Sequence, residues 1–206
     1  MKIKTLEVAG IGPAIHAMRN PMDSWEKSDT VHGQIGPKDI ELSERLAKAG
    51  PEHAKHLRLI QVWAEVWAPR YWWIELDTYR AGVEKLSCST MHKLTARPIA
   101  AEDFERDIDD PDCADTLAVV DALNRYLSNY KAHMAIDDVD GARYWWRRLI
   151  RALPQSYIQR RTVMMSYAAL RNMYRQRAGH KLAEWHLFRE WCETLPESWM
   201  ITGVKE

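Results

Sequence analysis

The hydrophobic positions change period several times along this chain. "KIKTLEVAGIG", from Lys2, alternates apolar and polar residues before meeting glycines, the pattern of a short edge strand. "PKDIELSERLAKAG" places Ile40, Leu42 and Leu46 at helical spacing between a starting Pro37 and a closing Gly50. Leu57, Leu59, Val62, Ala64 and Val66 return to alternation, which predicts a strand ending at Pro69. A helix is predicted from Pro69 to Tyr79, stopped by Gly82, then a hydroxyl-rich connection, "EKLSCSTMHKLTARP". The acidic "AEDFERDIDDPDCADT" reads as a solvated stretch with a helix boundary at Pro111. Four helices follow on periodicity: "TLAVVDALNRYLSNYKAHM", "DGARYWWRRLIRALP", "QSYIQRRTVMMSYAALRNMYRQR" and "HKLAEWHLFREWCETLP". Asp140 is the expected cap of the second, and Val163, Tyr167, Leu170 and Tyr174 the apolar face of the third, which Gly179 ends. No composition shift marks a linker, so residues 1–206 read as a single domain.

The tetrapeptide RYWW occurs twice, at Arg70 and Arg143. The residues after each copy, "IELDTYRAG" and "RRLIRALP", share almost nothing, whereas a duplicated unit would stay similar over a whole supersecondary element. Both copies therefore read as packing anchors within helices.

Composition narrows the function. Twenty-nine basic and 29 acidic residues balance to zero, which argues against duplex nucleic acid as a partner but permits a local anion pocket. Ten tryptophans and eight tyrosines against two phenylalanines favour interfaces and pockets with one wet edge. Three cysteines, Cys88, Cys113 and Cys192, without CxxC spacing, fit a reducing cytoplasm. No apolar run approaches the roughly 18 residues of a membrane span, so no membrane partner is expected.

The common dinucleotide, P-loop, zincin and hydrolase motifs are absent. His53 and His56 stand three apart, and His180 and Glu184 four apart. Such spacing suits metal ligands on a helix, but surface pairing is the simpler reading and no metal is expected. Arg171, Arg175 and Arg177 crowd one helix beside His180 and Lys181, an arrangement that recognises phosphate or forms a solvated basic face. "LSCST" offers hydroxyls to an anion, and Cys88 within it reads as a buried thiol. Arg19 and Asn20, ahead of Pro21, form a rigid polar tip for a ligand contact or a turn.

The order of these pieces resembles the flavin-dependent thymidylate synthases, which methylate deoxyuridine monophosphate with FAD, folate and reduced nicotinamide. "LAKAGPEHAKHLRLIQVWAEVWAPRYWWIELDTYRAGVEKLSCSTMHK" looks like the first half of that family, and "RRLIRALPQSYIQRRTVMMSYAALRNMYRQRAGHKLAEWHLF" like the second. The resemblance implies a mainly helical α+β fold with a small β-sheet flanked by helices, a homotetramer, and flavin and nucleotide sites between subunits. It places Arg177 where the family holds its substrate, and Glu184 one residue from a family glutamate. Nucleotide binding would fall to Arg80, Ser87, Ser89 and Arg177. Arg19, Asn20, His53, His56, Tyr79, His92, His180 and Glu184 would line the cofactor or pocket. The family's RHR triplet is Thr78-Tyr79-Arg80 here, so two groups associated with flavin are replaced. No catalytic side chain is evident, and any chemistry would be carried by a bound cofactor such as FAD.

Three function classes follow: a thymidylate synthase-like transferase acting on a pyrimidine deoxynucleotide, a non-catalytic protein that sequesters a nucleotide, or a Trp-rich interaction component. All are expected in the cytoplasm.

Overall fold

A computed structural model describes residues 1–106 and 114–203. Cys113 and the helix boundary expected at Pro111 lie outside the described residues. Contacts divide the chain into two compact units, one of residue 1, 67–76 and 87–161, the other of 2–66, 77–86 and 162 onward. The elements run β1 (Lys2–Ala9), α1 (Ile11–Ala17), α2 (Pro37–Ala49), β2 (Gln61–Pro69), α3 (Arg70–Leu76), β3 (Val83–Ser87) and α4 (Thr90–Lys93). They continue with α5 (Ala114–Ala135), α6 (Val139–Ala152), β4 (Ile158–Ser166), α7 (Tyr167–Gln176), α8 (Ala183–Glu193) and α9 (Trp199–Thr202). The strands form one antiparallel sheet in the order β1-β2-β4-β3, and the class is α+β.

The expected edge strand is found as β1, and the strand ending at Pro69 as β2, which starts only at Gln61: Leu57 lies in a 3-10 turn, Lys55–Arg58, and Leu59 just after it. In β2 every second residue is buried: Val62, Ala64, Val66 and Ala68 have no exposed surface. That alternation comes from the pleat of a central strand. Helix α2 starts at Pro37 as expected and ends against Gly50, whose φ of 131° lies in the region that favours glycine.

Further expectations are corrected. The long helix predicted over "QSYIQRRTVMMSYAALRNMYRQR" is strand β4 followed by the ten-residue α7. Val163 and Met165 are buried two apart, a strand period that a scan at helical spacing passes over. Ser166 ends the strand and caps the helix, its Oγ accepting from the Ala169 amide at 3.2 Å. The hydroxyl-rich connection contains β3 and the single turn α4, which Ser89 caps by accepting from the His92 amide. The cap of α6 is Asp138, which accepts from the Gly141 amide at 3.0 Å, and not Asp140. Cys88 is exposed, not buried.

The two RYWW copies do different work. Trp72 and Trp73 of α3 are both fully buried and meet edge to face at 5.0 Å, so the first copy is a packing anchor. In α6 the buried residues are Ala142 and Leu149, while Trp145 and Trp146 are half-buried and Tyr144 is 53% exposed. There the rings hold a cation instead: the Arg148 guanidinium lies 5.2–5.7 Å from the ring centres of Tyr126, Tyr144 and Trp145. Below them Leu123, Leu127, Leu149 and Leu153 join Leu94, Ile99 and Phe104 in the core of the first unit.

In the second unit, α7 is the central helix. Tyr167, Leu170 and Met173 have no exposed surface. Trp185 and Phe188 of α8 are buried and 5.4 Å apart. These apolar faces fix where the arginines of α7 emerge.

Candidate functional site

A cleft of about 530 Å³ opens in the second unit along one side of α7. Its floor is made of small residues: Ala47 from the end of α2, Ala54, the Ala81–Gly82 link, and Ala168 and Ala169 from the first turn of α7. Gly82 has φ +70°, and a Cβ there would lie 2.5 Å from Ser166 Oγ, so glycine is needed for both conformation and space. Three arginines and an amide supply the polar wall: Arg58, Arg171, Asn172 and Arg175.

The arginines differ in state. Arg171 is 6% exposed. Its Nη1 donates to the Met200 carbonyl at 2.7 Å and reaches Glu44 Oε1 at 3.5 Å. Its Nε is buried without a hydrogen-bond partner. Burial lowers its pKa, Glu44 opposes that shift, and Arg175 adds to it. Arg58 is exposed and donates to the Pro51 carbonyl at 3.2 Å. Arg175 is exposed, and its side chain has no ion-pair or hydrogen-bond partner among the described residues. Arg58 and Arg175, both exposed on the cleft wall, favour a negatively charged ligand.

Beneath α2, His56 is 4% exposed and its Nε2 lies 2.8 Å from Ser43 Oγ. Burial, reinforced by the charge of Arg171, pushes its pKa down to about 4, which keeps the ring neutral near neutral pH.

Arg177 follows α7 and is half-buried. Its guanidinium lies 4.5 Å from the ring centre of Trp185 and 5.5 Å from that of Tyr79, and its Nε donates to Tyr79 Oη at 3.0 Å. Tyr79 Oη donates in turn to Gln176 Oε1 at 2.9 Å. His180 packs on Trp185 at 6.1 Å, with Nδ1 accepting from the Leu182 amide. Tyr79, Arg177 and His180 are therefore brought together around Trp185. Glu184, in the first turn of α8, is buried, and Arg80, just after Tyr79, is exposed.

Other expected site residues are placed elsewhere. Arg19 is 6% exposed and turned inward, its Nε donating to Asp39 Oδ1 at 2.7 Å. Burial would raise the Asp39 carboxyl, but hydrogen bonds from Ser28, Thr30 and Arg19 hold it below the usual range. Arg19 thus anchors the loop after α1 to α2. Asn20 accepts from Trp25 Nε1 at 3.0 Å on the surface. His53 is exposed beside Glu52, whereas His56 faces inward, so the pair does not share a helix face. His180 precedes α8 and Glu184 lies inside it, so that pair does not share one either. Ser87, Ser89 and His92 belong to the first unit. There Ser89 borders a smaller cleft of about 240 Å³ with Cys88 and Lys93, and Ser87 and His92 are exposed.

Arg58, Asn172 and the small-residue floor had no signal in the hydrophobic pattern. Small residues interrupt both periods without forming one, and Gly82 read only as a helix stop.

No family model and no curated protein matches the sequence. By fold the chain is similar to a thymidylate synthase X from Helicobacter pylori solved with FAD and dUMP. The TM-score is 0.74 at 21% identity, over 98% of this chain and 97% of that one. A second structure, a flavin-dependent thymidylate synthase from Helicobacter pylori complexed with FAD and dUMP, aligns with a TM-score of 0.73 at 22% identity, over 97% and 96% of the two chains. The helices and four-stranded sheet of this protein thus follow the thymidylate synthase X fold along nearly their whole length.

Proposed function

We propose that this protein binds a nucleotide in the α7 cleft and acts as a flavin-dependent thymidylate synthase-like transferase on a pyrimidine deoxynucleotide. The observation that carries the reading is an arginine-walled cleft on a fold aligned end to end with an enzyme holding FAD and dUMP. The cleft lies within the usual size range of small-molecule sites. Its residues fit a flavin adenine dinucleotide in chemistry. Arg58 and Arg175 would hold phosphate, Asn172 would bond a polar edge, and the alanine and glycine floor would admit a flat ring. Bound there, the flavin would supply the redox chemistry. The chain's own residues would bind and orient, with Arg177, fixed by Tyr79 and Trp185, presenting its cation to the substrate. The homotetramer expected of this fold, with sites completed by neighbouring copies, belongs to the same proposal.

One observation favours a second reading, nucleotide binding without catalysis. The resemblance puts Tyr79 in the triplet position of the family's histidine, and Tyr79 is locked by hydrogen bonds to Arg177 and Gln176. A visible spectrum of the purified protein and thermal-shift titrations with FAD and dUMP separate the readings. Flavin uptake with stabilisation by dUMP supports the transferase. Stabilisation by nucleotide with no flavin uptake supports sequestration. No response to either ligand refutes both and leaves the Trp-rich interaction component.

A further inference from the structure

The second unit holds another cleft, of about 950 Å³, that the proposed function does not use. One stripe of α2, Lys38, Leu42, Arg45 and Leu46, forms a wall at helical spacing. Met18 and Met22 from the loop after α1 add apolar surface. Five lysine and arginine side chains border the cleft; Arg19 is paired with Asp39, which leaves Lys27, Lys38, Arg45 and Lys55. All four are exposed, and none has an ion-pair partner among the described residues. Two carboxylates, Glu41 and Glu52, share the lining, and Glu52 already faces His53 at 3.6 Å. The formal excess is therefore positive over an apolar floor.

A second observation points to a ligand. His56, 96% buried by its 4% exposure, also lines this cleft, and its Nδ1 has no hydrogen-bond partner. An unpaired buried imidazole nitrogen is costly, and with no accessible surface of its own it is met by a ligand only once a neighbouring side chain of the lining moves aside. Nε2 is engaged by Ser43, so Nδ1 is the ring's remaining polar atom.

We propose that this cleft is a binding site for a small organic anion, one with an apolar body and two or more carboxylate or phosphate groups. The rim cations would take the charges and Leu42, Leu46 and Met18 the body, and a side-chain shift in the lining would uncover His56 Nδ1 to a polar atom of the ligand. Three of the four rim cations are lysines, compact point charges suited to separated anionic groups and not to one bidentate fork. The site is independent of the α7 cleft, whose arginines it does not include.

The test is calorimetric titration of the full chain with naphthalene-2,6-dicarboxylate and with 1-naphthyl phosphate, and inorganic tripolyphosphate as the anion without an apolar body. The expected result is saturable one-to-one binding of a naphthyl anion, the tighter of the two naming the preferred anionic group. In Lys38→Glu/Arg45→Glu that affinity falls at least tenfold. Tripolyphosphate binds at least tenfold more weakly than the better naphthyl ligand. His56→Phe weakens binding at least threefold, and in the unaltered protein the His56 ring ¹⁵N resonances shift on saturation, a readout that does not depend on that variant folding. Binding by neither naphthyl ligand, equal affinity in the double charge variant, tight binding of tripolyphosphate alone, or unmoved His56 resonances would overturn the proposal. FAD titration of Lys38→Glu/Arg45→Glu reports on the α7 cleft separately, so the two proposals fail independently.

Discussion

Acidification should destabilise this fold through one histidine before the carboxylates contribute. His56 is buried, and its pKa lies at about 4 in place of 6.5. An unfolded chain regains the ordinary value, so between about pH 6.5 and 4 the unfolded state binds a proton at His56 that the native state does not. Stability falls with pH in that window, at a slope of roughly 1.4 kcal/mol per pH unit where the difference is a full proton. Across the window the loss is on the order of 3 kcal/mol, a large part of the roughly 5–15 kcal/mol typical of a domain. Above pH 6.5 the ring is neutral in both states and contributes no pH dependence. Asp39 acts lower: its stabilising effect is complete above the unfolded carboxyl value near 4 and is lost as pH falls through its depressed native value. The assay is urea denaturation at half-unit steps from pH 7.5 to 4, comparing the protein with His56→Gln, which keeps a polar group near Ser43 but does not titrate. The account expects a steep fall below pH 6.5 only where His56 is present. Parallel profiles for the two proteins would refute the reasoning.

Further outcomes follow from the same packing. Arg171→Met leaves Glu44 buried without its cation and should cost about 3–5 kcal/mol in urea denaturation, the usual range for breaking a buried pair. Gly82→Ala imposes φ +70° on an alanine and drives Ser166 Oγ off the Ala169 amide, so strain and a lost cap together should remove about 1–3 kcal/mol. In a Cys113→Ser background, a thiol reagent should label Cys88 at once and Cys192 only after unfolding, because Cys88 is exposed while burial shields Cys192 and raises its pKa.

The sequence made α2 and the end of β2 legible because a glycine or a proline stops each, but it ran the last helix on to Pro196, past the end of α8 at Glu193, and missed α9. It hid β4 because "RRTVMMSYAAL" runs a strand directly into a helix, and Val163 and Tyr167, four apart, mimic one helix face. Only Ser166 marks the junction, and a serine flanked by apolar residues is a weak signal by itself. The arginines of α7 were legible as a cluster, but their roles were not. Arg171 points into the core and Arg177 onto Trp185, a difference set by partners distant in sequence. Arg19 likewise read as a reaching cation because nothing local reveals Asp39, twenty residues on, as its partner.

The central claim is that the cleft walled by Arg58, Asn172 and Arg175 is a site for FAD. Its most direct measurement is the dissociation constant for FAD, followed by flavin fluorescence, in the unaltered protein and in Arg58→Ala/Arg175→Ala. The account predicts saturable binding that weakens at least tenfold in the double variant, about 1.4 kcal/mol or more. The absence of FAD binding, or the same dissociation constant in both proteins, would contradict it.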